Sequence, residues 1–524
     1  MNELGLSQKS KIPFFTTGDL GGLAYSLTNN IVNFIIVIAT LTSLGWPASL
    51  IYGKVIPGMS IGLMASGIYY AFMAHRLAKK EGRSDVTALP SGVSTPAMFV
   101  FLYGVITPLQ YALNEPELVW SAAVAACFIG GLVELLGGII GPWLKKSLPR
   151  AALLGTVAGI GFIWMATQGL FDVYRDPTLG LPIMLLAVVG LFGGYMFPKK
   201  IPPFAVAIVG GIVYAFFLGR IQPDFSGIGF FFPNPANTIQ ALLSGFVVVA
   251  PYLAVIIPIE IYNFIETMDN VESANAAGDN YNVREAQFAD GCCTMLSAIC
   301  GGVIPNTVWL GHPGLKKAGA GASYSWISGL LLGGAGIFGF FSLLNSVVPP
   351  AICAITFLWC AVVMVCQSFK EVPVKHFAAV VIAMIPSIAD YLFTQVSGAL
   401  GACNIWTETM ASGLTGYSPE ITQALITNGV MWNGVPAIKA GAIIIGLIWG
   451  GATAFIIDKR LDKAGFIFAA GAVLSLFGFI HRAGLTIAFD SPFMIGYLIM
   501  AVMCFVLWGG RKTWFKADDN FDYI

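Results

Sequence analysis

The chain has 524 residues, of which 57% are hydrophobic and only 10% are charged, and its mean hydropathy is +0.79. So little polar surface excludes a soluble globular protein of this length and indicates a helical protein that crosses a membrane many times. The 27 basic and 27 acidic residues balance, which gives no sign of nucleic-acid binding or of a polyanionic partner.

The N-terminal residues 1–18 lack a basic stretch followed by an apolar run and a small-residue cleavage site. We therefore expect the first apolar run to be a retained span, and the distribution of basic residues described below predicts that the tail before it is cytoplasmic. The nine cysteines show no metal-ligand spacing. Neither a metal site, a cofactor nor a disulfide is expected.

Windows of about 20 apolar residues predict a transporter unit of 14 spans at 19–457, two additional spans within 458–510 and a cytoplasmic tail at 511–524. The fourteen spans have cores near 19–42, 49–75, 88–110, 118–142, 150–171, 180–197, 203–219, 247–268, 286–302, 306–318, 322–346, 350–369, 376–398 and 434–457, and the two others lie near 464–481 and 491–510. The 399–433 loop is too small to be a convincing catalytic domain.

The basic residues predict the orientation of these spans. If the N-terminus is cytoplasmic, every even-numbered loop and the C-terminus are also cytoplasmic, and the two tails and these loops should be rich in Lys and Arg. All basic residues lie in those segments except Lys54, Arg175, Arg220, Lys439 and Arg482. This bias predicts an even number of spans and two cytoplasmic termini.

Several polar side chains lie inside predicted spans. The first span carries Tyr25, Asn29 and Asn30, which either hold helices together or line a site. Glu134 in the fourth span and Asp390 in the thirteenth are costly in lipid, so each should face protein. For both carboxylates, a structural hydrogen bond and a role in ion coupling remain open.

Two spans open with Pro and Gly residues that interrupt backbone hydrogen bonding, at 87–96 and 305–314. At membrane depth, such interruptions are tolerated only where the backbone is buried in protein or lines a cavity. Because the two segments lie seven spans apart, they predict an inverted repeat with a binding site between 90–96 and 305–312. The alternative is an ordinary pair of Pro-kinked helices.

The eighth span ends with a polar stripe. At about 100° per residue, Asn263, Glu266 and Asn270 fall within an arc of roughly 60°, so one helix face points polar groups inward. A carboxylate at membrane depth usually handles substrate or ions. Alternatively, Glu266 is a solvated helix end, since Asp269 and Glu272 follow soon after.

Three segments carry a resemblance to a known family. Residues 148–161, 289–298 and 302–307, the last reading Gly-Val-Ile-Pro-Asn-Thr, resemble the fifth-helix and the eighth-to-tenth-helix regions of the nucleobase–cation symporters, the xanthine/uracil permease family. Asp290 opens the aspartate-glycine pair of this pattern near a cytoplasmic helix start, and we expect it to cap that helix.

The resemblance implies a 7+7 inverted-repeat fold with a core and a gate domain, which is shared with sulfate and bicarbonate carriers. The first repeat would span 19–219 and the second 247–457, with short strands before helices 3 and 10. Glu266 would accept hydrogen bonds from substrate N–H groups, and the surroundings of Ser94 and Trp309 would face the substrate. Family members are typically proton-coupled, although some use sodium, and they often form homodimers.

The chain departs from the family pattern after Asn306 and Thr307, where a second glutamate is expected and Gly311 or His312 stands instead. Amide, hydroxyl and indole groups at Asn270, Asn306, Thr307 and Trp309 suit the donors and acceptors of a neutral base. A broken tenth helix with its N-terminal end near 306–312 would favour a carbonyl oxygen or an anion. His312 either carries a proton, hydrogen-bonds substrate, bridges two helices or faces the membrane interface.

These observations predict a secondary active permease in the bacterial inner membrane that takes up a small molecule of the nucleobase type. The alternative is an anion transporter of the same fold, which the missing second glutamate and His312 favour. No nucleophile–base pair, P-loop or metal-ligand cluster is found, so an enzyme is not expected. The candidates for coupling to a proton, the expected ion, are Glu266, Asp269, His312, Glu134 and Asp390.

Overall fold

The protein is an all-α polytopic membrane protein, as its composition predicts. A computed structural model describes residues 13–195, 203–225, 227–403, 418–482 and 486–516. Among these, seven helices are long and apolar enough to cross a membrane, and two sharply bent helix pairs raise the number to nine. The predicted tails and the 399–433 loop lie partly outside the described residues.

The elements are numbered in chain order. They are α1 Thr17–Ser43, α2 Ala48–Glu81, β1 Ser91–Val93, α3 Thr95–Leu113, α4 Pro116–Ser147, α5 Arg150–Arg175, α6 Pro177–Leu191, α7 Pro203–Phe217, α8 Pro235–Val249, α9 Leu253–Ala276, α10 Val283–Ile299, β2 Asn306–Val308, α11 His312–Lys317, α12 Ser323–Ile337, α13 Phe340–Val347, α14 Pro350–Lys370, α15 Val374–Leu400, α16 Pro419–Thr427, α17 Val435–Lys439, α18 Ala442–Ile457, α19 Leu461–Leu476 and α20 Pro492–Gly510.

Both predicted broken segments are extended where the helices were expected to be interrupted. Strands β1 and β2 pair antiparallel, with Ser91 opposite Val308 and Val93 opposite Asn306. Helix α3 continues from β1 for 19 residues, whereas α11 after β2 has only six and cannot cross a membrane. The strands satisfy each other's backbone groups, which is the condition for extended chain at membrane depth.

The helices form two bodies. We call the first the core body, in which α1 to α4 and α8 to α13 pack around the strand pair. The second is the gate body, in which α5 to α7, α14, α15 and α18 pack on one another. Helices α19 and α20 pair with each other and extend the gate body from α18. This arrangement confirms the predicted inverted-repeat fold class, while the boundaries of the two repeats stay predictions.

Close helix packing inside the core body depends on small residues of α4. A Cβ at Gly131 would lie 2.8 Å from the Gly291 carbonyl oxygen of α10, and a Cβ at Gly130 would lie 2.8 Å from the Glu260 carboxyl carbon of α9. Small residues let membrane helices approach closely. Here they bring α4, α9 and α10 together behind β2.

Two predicted spans are bent. The eighth span was expected to start at residue 247, which lies near the end of α8. Helices α8 and α9 meet there at 96°, because Pro251 lies in the turn between them and cannot donate the next helical hydrogen bond. The eleventh turns by 94° between α12 and α13 at Gly339, whose φ of 71° suits glycine.

Candidate functional site

The strand pair is anchored by amide side chains from two helices. In α1, the Asn30 side-chain oxygen accepts from the Val93 N–H at 3.0 Å, and Asn33 Nδ2 donates to the Val93 carbonyl at 3.3 Å. In α9, Asn270 Nδ2 donates to the Val308 carbonyl at 2.8 Å. Asn30 therefore holds β1 in place, and Asn33 and Asn270 are further anchors of the same kind.

A cavity of about 430 Å³ lies between α9 of the core body and α5 and α14 of the gate body. Its polar lining is mainly acidic and comes from α9, with Glu266, Asp269, Asn270 and Glu272. Arg150 of α5 and Glu371, which follows α14, also line it, and they pair at 2.6 Å. The volume suits a small ligand, since ligand pockets start at about 300 Å³.

Glu266 is the carboxylate best placed to meet a ligand. It lines the cavity beside Tyr262, to which it is hydrogen-bonded, and its Oε2 is buried without a hydrogen-bond partner. A buried acceptor without a partner is costly, so a ligand that donates an N–H or O–H there would be stabilised. Of the predicted polar stripe Asn263, Glu266 and Asn270, the last two line the cavity and Asn263 does not.

Other predicted site residues lie at the strand pair, beside the cavity lining. Asn306 and Thr307 belong to β2, and Ser94 follows β1 with its hydroxyl buried and unpartnered. Trp309 stacks on Tyr25, their ring centroids 4.9 Å apart, and its indole nitrogen has no partner. The cavity reaches this region at Leu310, whose carbonyl accepts from the Tyr25 hydroxyl at 3.4 Å.

The structure places His312 away from the cavity lining. Its Nε2 lies 3.1 Å from Asp279 and 3.0 Å from the Thr87 carbonyl, and the residue is buried. Asp279 also pairs with Arg83 and Lys316, each at 2.6 Å. Burial raises the pKa of Asp279, but hydrogen bonds from His312, Lys316 and the Thr87 N–H outweigh burial and hold this pKa well below its usual range. Of the interpretations left open for His312, the bridge between segments matches this geometry.

Glu134 and Asp390 lie in different bodies. Glu134 of α4 is fully buried and accepts a hydrogen bond from Asn263 Nδ2. Asp390 of α15 is hydrogen-bonded to Trp164, and Lys439 is its charged neighbour. Asp390 does not line the cavity, and it belongs to the gate body.

Asp290 does not cap a helix, contrary to the expectation from sequence. Helix α10 starts at Val283 and is capped by Asn282, so Asp290 lies in its middle and is fully buried. Asp290 Oδ2 accepts from Thr267 Oγ1 at 2.8 Å and from the Val308 N–H at 3.1 Å. The helix simply starts earlier than the predicted span, and the carboxylate holds β2.

The sequence reasoning also missed Glu260. This side chain is fully buried, and Asn263 Nδ2 lies 3.4 Å from its Oε2. A signal was present, because Glu260 precedes Asn263 by three residues and so lies on the same helix face. Extending the polar stripe by one turn would have included it.

No family model matches the chain, and no curated protein matches it. The solved structures that resemble it include one described as the transmembrane domain of a cyanobacterium bicarbonate transporter BicA, with 18% identity, a TM-score of 0.49, and coverage of 74% of this chain and 98% of that chain. A structure of SLC26A9 has 12% identity, a TM-score of 0.47 and coverage of 76% and 66%. A structure of murine Slc26a9, described as an anion transporter in the inward-facing state, has 12% identity and a TM-score of 0.46, and the match covers 75% of this chain and 68% of that chain. At these values the likenesses do not discriminate between substrates.

Proposed function

We propose that the protein is a secondary active transporter that carries a small polar solute by alternating access of the core body past the gate body. The observation that carries this proposal is Glu266, whose unpartnered carboxylate oxygen lies at a cavity between the two bodies. A binding site at a mobile junction, next to two interrupted helices, is the arrangement of inverted-repeat transporters. The role of the protein is then transport, without a catalysed reaction.

The preferred substrate is a neutral solute with N–H donors, of the nucleobase type. Glu266 presents an unpartnered carboxylate oxygen at the cavity, which would accept a hydrogen bond from an N–H group and would repel a small anion. Arg150, which also lines the cavity, pairs with Glu371 at 2.6 Å. Neither comparison by sequence supports the nucleobase family, so this substrate class depends on the cavity chemistry and on the resemblance of the three segments.

The second candidate is an anion, and one feature of the site favours it. Helix α3 begins beside β1, and the hydroxyl of the preceding Ser94 is buried without a partner. The N-terminus of a helix attracts negative charge. Two similar structures are described as a bicarbonate transporter and an anion transporter, so small anions belong in the same assay.

The proposal includes proton coupling, a location in the bacterial plasma membrane, and two cytoplasmic termini. Proton coupling is supported by the carboxylates of α9 at and near the cavity. The lipid bilayer and a small solute are the proposed partners, and a homodimer is compatible with the exposed apolar helices of the gate body. No role in nucleic-acid binding is proposed.

Uptake into proteoliposomes tests the proposal. Radiolabelled purines, pyrimidines, bicarbonate and sulfate would be offered under separate pH and sodium gradients. We expect uptake of one solute class, driven by the pH gradient and lost in Glu266→Ala but retained in Glu117→Ala, whose carboxylate is exposed and paired with Lys54. Absence of gradient-driven uptake for every solute would contradict the proposal, and uptake of anions alone would select the second candidate.

A further inference from the structure

Three buried carboxylates lie on three helices that pack on one another, and none of the three lines the cavity. They are Glu134 of α4, Glu260 of α9 and Asp290 of α10, and each is fully buried. We call them the carboxylate cluster. Glu134 and Glu260 share the amide of Asn263, which donates to both. Their electrostatic neighbours include one another and Asp290.

No basic side chain compensates these groups within the described residues. None of the three forms an ion pair or a hydrogen bond with a described Lys, Arg or His. The titratable groups facing the cluster from neighbouring elements are Tyr70 of α2, Cys127 of α4, Cys293 of α10 and Glu266 of α9. None of these can supply a positive charge.

The hydrogen bonding is also unbalanced in a specific way. Tyr70 and Thr294 are hydrogen-bonded to Asp290 and Glu134, respectively, whereas the acceptors Glu260 Oε1 and Asn263 Oδ1 are buried without partners. Asn263 is itself fully buried, and its Nδ2 is already donated to the cluster. Each unpartnered buried acceptor costs about 1–3 kcal/mol. A proton on a carboxyl group converts an acceptor into a donor and can satisfy two such atoms at once.

We infer that the carboxylate cluster is a proton-binding site, separate from the cavity, that holds the coupling protons of transport. Like charges buried together cannot all be ionised, so neighbouring carboxylates share protons. This inference extends the proposed transport function, and the coupling role of the protons rests on that function.

The cluster is connected to the cavity through β2. Asp290 of the cluster accepts from the Val308 N–H at 3.1 Å. At the other end of the strand, Asn263, whose amide Glu134 and Glu260 share, donates to the Asn306 carbonyl at 3.1 Å. From the cavity side, Asn270 holds the Val308 carbonyl at 2.8 Å. A change of protonation in the cluster therefore alters hydrogen bonds to β2. Because α9, which lines the cavity, is also hydrogen-bonded to β2, proton binding is coupled to the cavity.

Infrared spectroscopy of the purified protein tests the site without a substrate. The carbonyl-stretch band of protonated carboxylic acids would be recorded in H₂O and D₂O at neutral pH, for the wild type and for Glu134→Gln, Glu260→Gln and Asp290→Asn. We expect the band in the wild type, a partial loss of it in at least one variant, and no loss in Glu117→Gln, an exposed control on the same helix as Glu134.

Two spectroscopic results would overturn the inference. One is a band that none of the three substitutions changes, since the cluster would then be ionised. The other is a melting temperature that rises with sodium chloride in the wild type, but not in the variants and not with potassium chloride, while the band is unaltered. That pattern would make the cluster a sodium site.

The coupling itself is tested in proteoliposomes with the solute that the wild type transports. Glu260→Gln should keep solute exchange at equal pH and lose accumulation driven by a pH gradient, because exchange requires a folded site but no proton binding. Loss of exchange and accumulation together, in a variant with a wild-type melting temperature, would contradict a coupling role. Absence of any transport by the wild type would count against the proposed function, whereas the infrared result would still decide the proton site.

Discussion

Substitution of Asp279 by asparagine should destabilise the protein more than the loss of an equally short ion pair at the surface. Asp279 is fully buried and meets Arg83 and Lys316 at 2.6 Å and His312 at 3.1 Å. It also accepts from the Thr87 N–H at 3.0 Å. Asp279 therefore links the segment before β1, which contains Thr87, to α11, the helix that follows β2.

The size of the effect follows from burial. Removing one partner of a buried ion pair costs about 3–5 kcal/mol. The side chains of Arg83 and Lys316 are 25% and 17% exposed, so water can partly solvate their charges once the carboxylate is removed. We therefore expect the free energy of unfolding to fall by about 3 kcal/mol. With an unfolding entropy that scales with chain length, this lowers the melting temperature by about 3 °C.

Thermal unfolding of the purified protein in detergent measures this change. The matched control is Glu117→Gln, which breaks a 2.7 Å pair with Lys54 whose side chains are 63% and 41% exposed, and which should cost about 0–1 kcal/mol. Because the pKa of Asp279 is lowered in the folded protein, its contribution is present at neutral pH and is lost as the pH falls below the ordinary aspartate range. Equal melting temperatures for Asp279→Asn and Glu117→Gln at neutral pH would refute this reasoning.

Two further outcomes are expected. Gly92→Ala should disrupt the strand pair, because a Cβ there would lie 2.8 Å from the Trp309 indole nitrogen and 2.9 Å from the Asn30 amide nitrogen; we expect solute binding to fall at least tenfold while the protein stays monodisperse, and wild-type binding would contradict a role for this pair. Single cysteines in place of Lys80 and Lys512 should both react with an impermeant thiol reagent only from the cytoplasmic side, and labelling from opposite sides would reject the predicted orientation.

The interrupted helices could be predicted because their signal is local. Clustered Pro and Gly residues mark an interruption of the helix locally, so 90–96 and 305–312 are recognisable from the sequence without tertiary information. The family resemblance implied the two short strands, but not their antiparallel pairing with Ser91 opposite Val308. The anchoring of β1 by Asn33 did not follow, since nothing along the chain indicates which amide meets which strand.

The carboxylates show the same limit. Glu266 was predicted from a stripe along one helix, and the structure places it at the cavity. The grouping of Glu134, Glu260 and Asp290 depends on how closely α4, α9 and α10 approach, which the contacts of Gly130 and Gly131 set. His312 was a candidate because histidine side chains can carry protons, but its position depends on Asp279, which lies in a loop 33 residues earlier in the chain.

The most direct test of the account is to measure solute binding and gradient-driven uptake separately in purified, monodisperse Glu266→Ala and Glu266→Gln. The account predicts that Glu266→Ala loses binding while keeping the wild-type melting temperature. Glu266→Gln should bind weakly, because the amide keeps one acceptor oxygen but loses the charge. Wild-type binding and uptake in Glu266→Ala would contradict the claim that this carboxylate holds the transported solute.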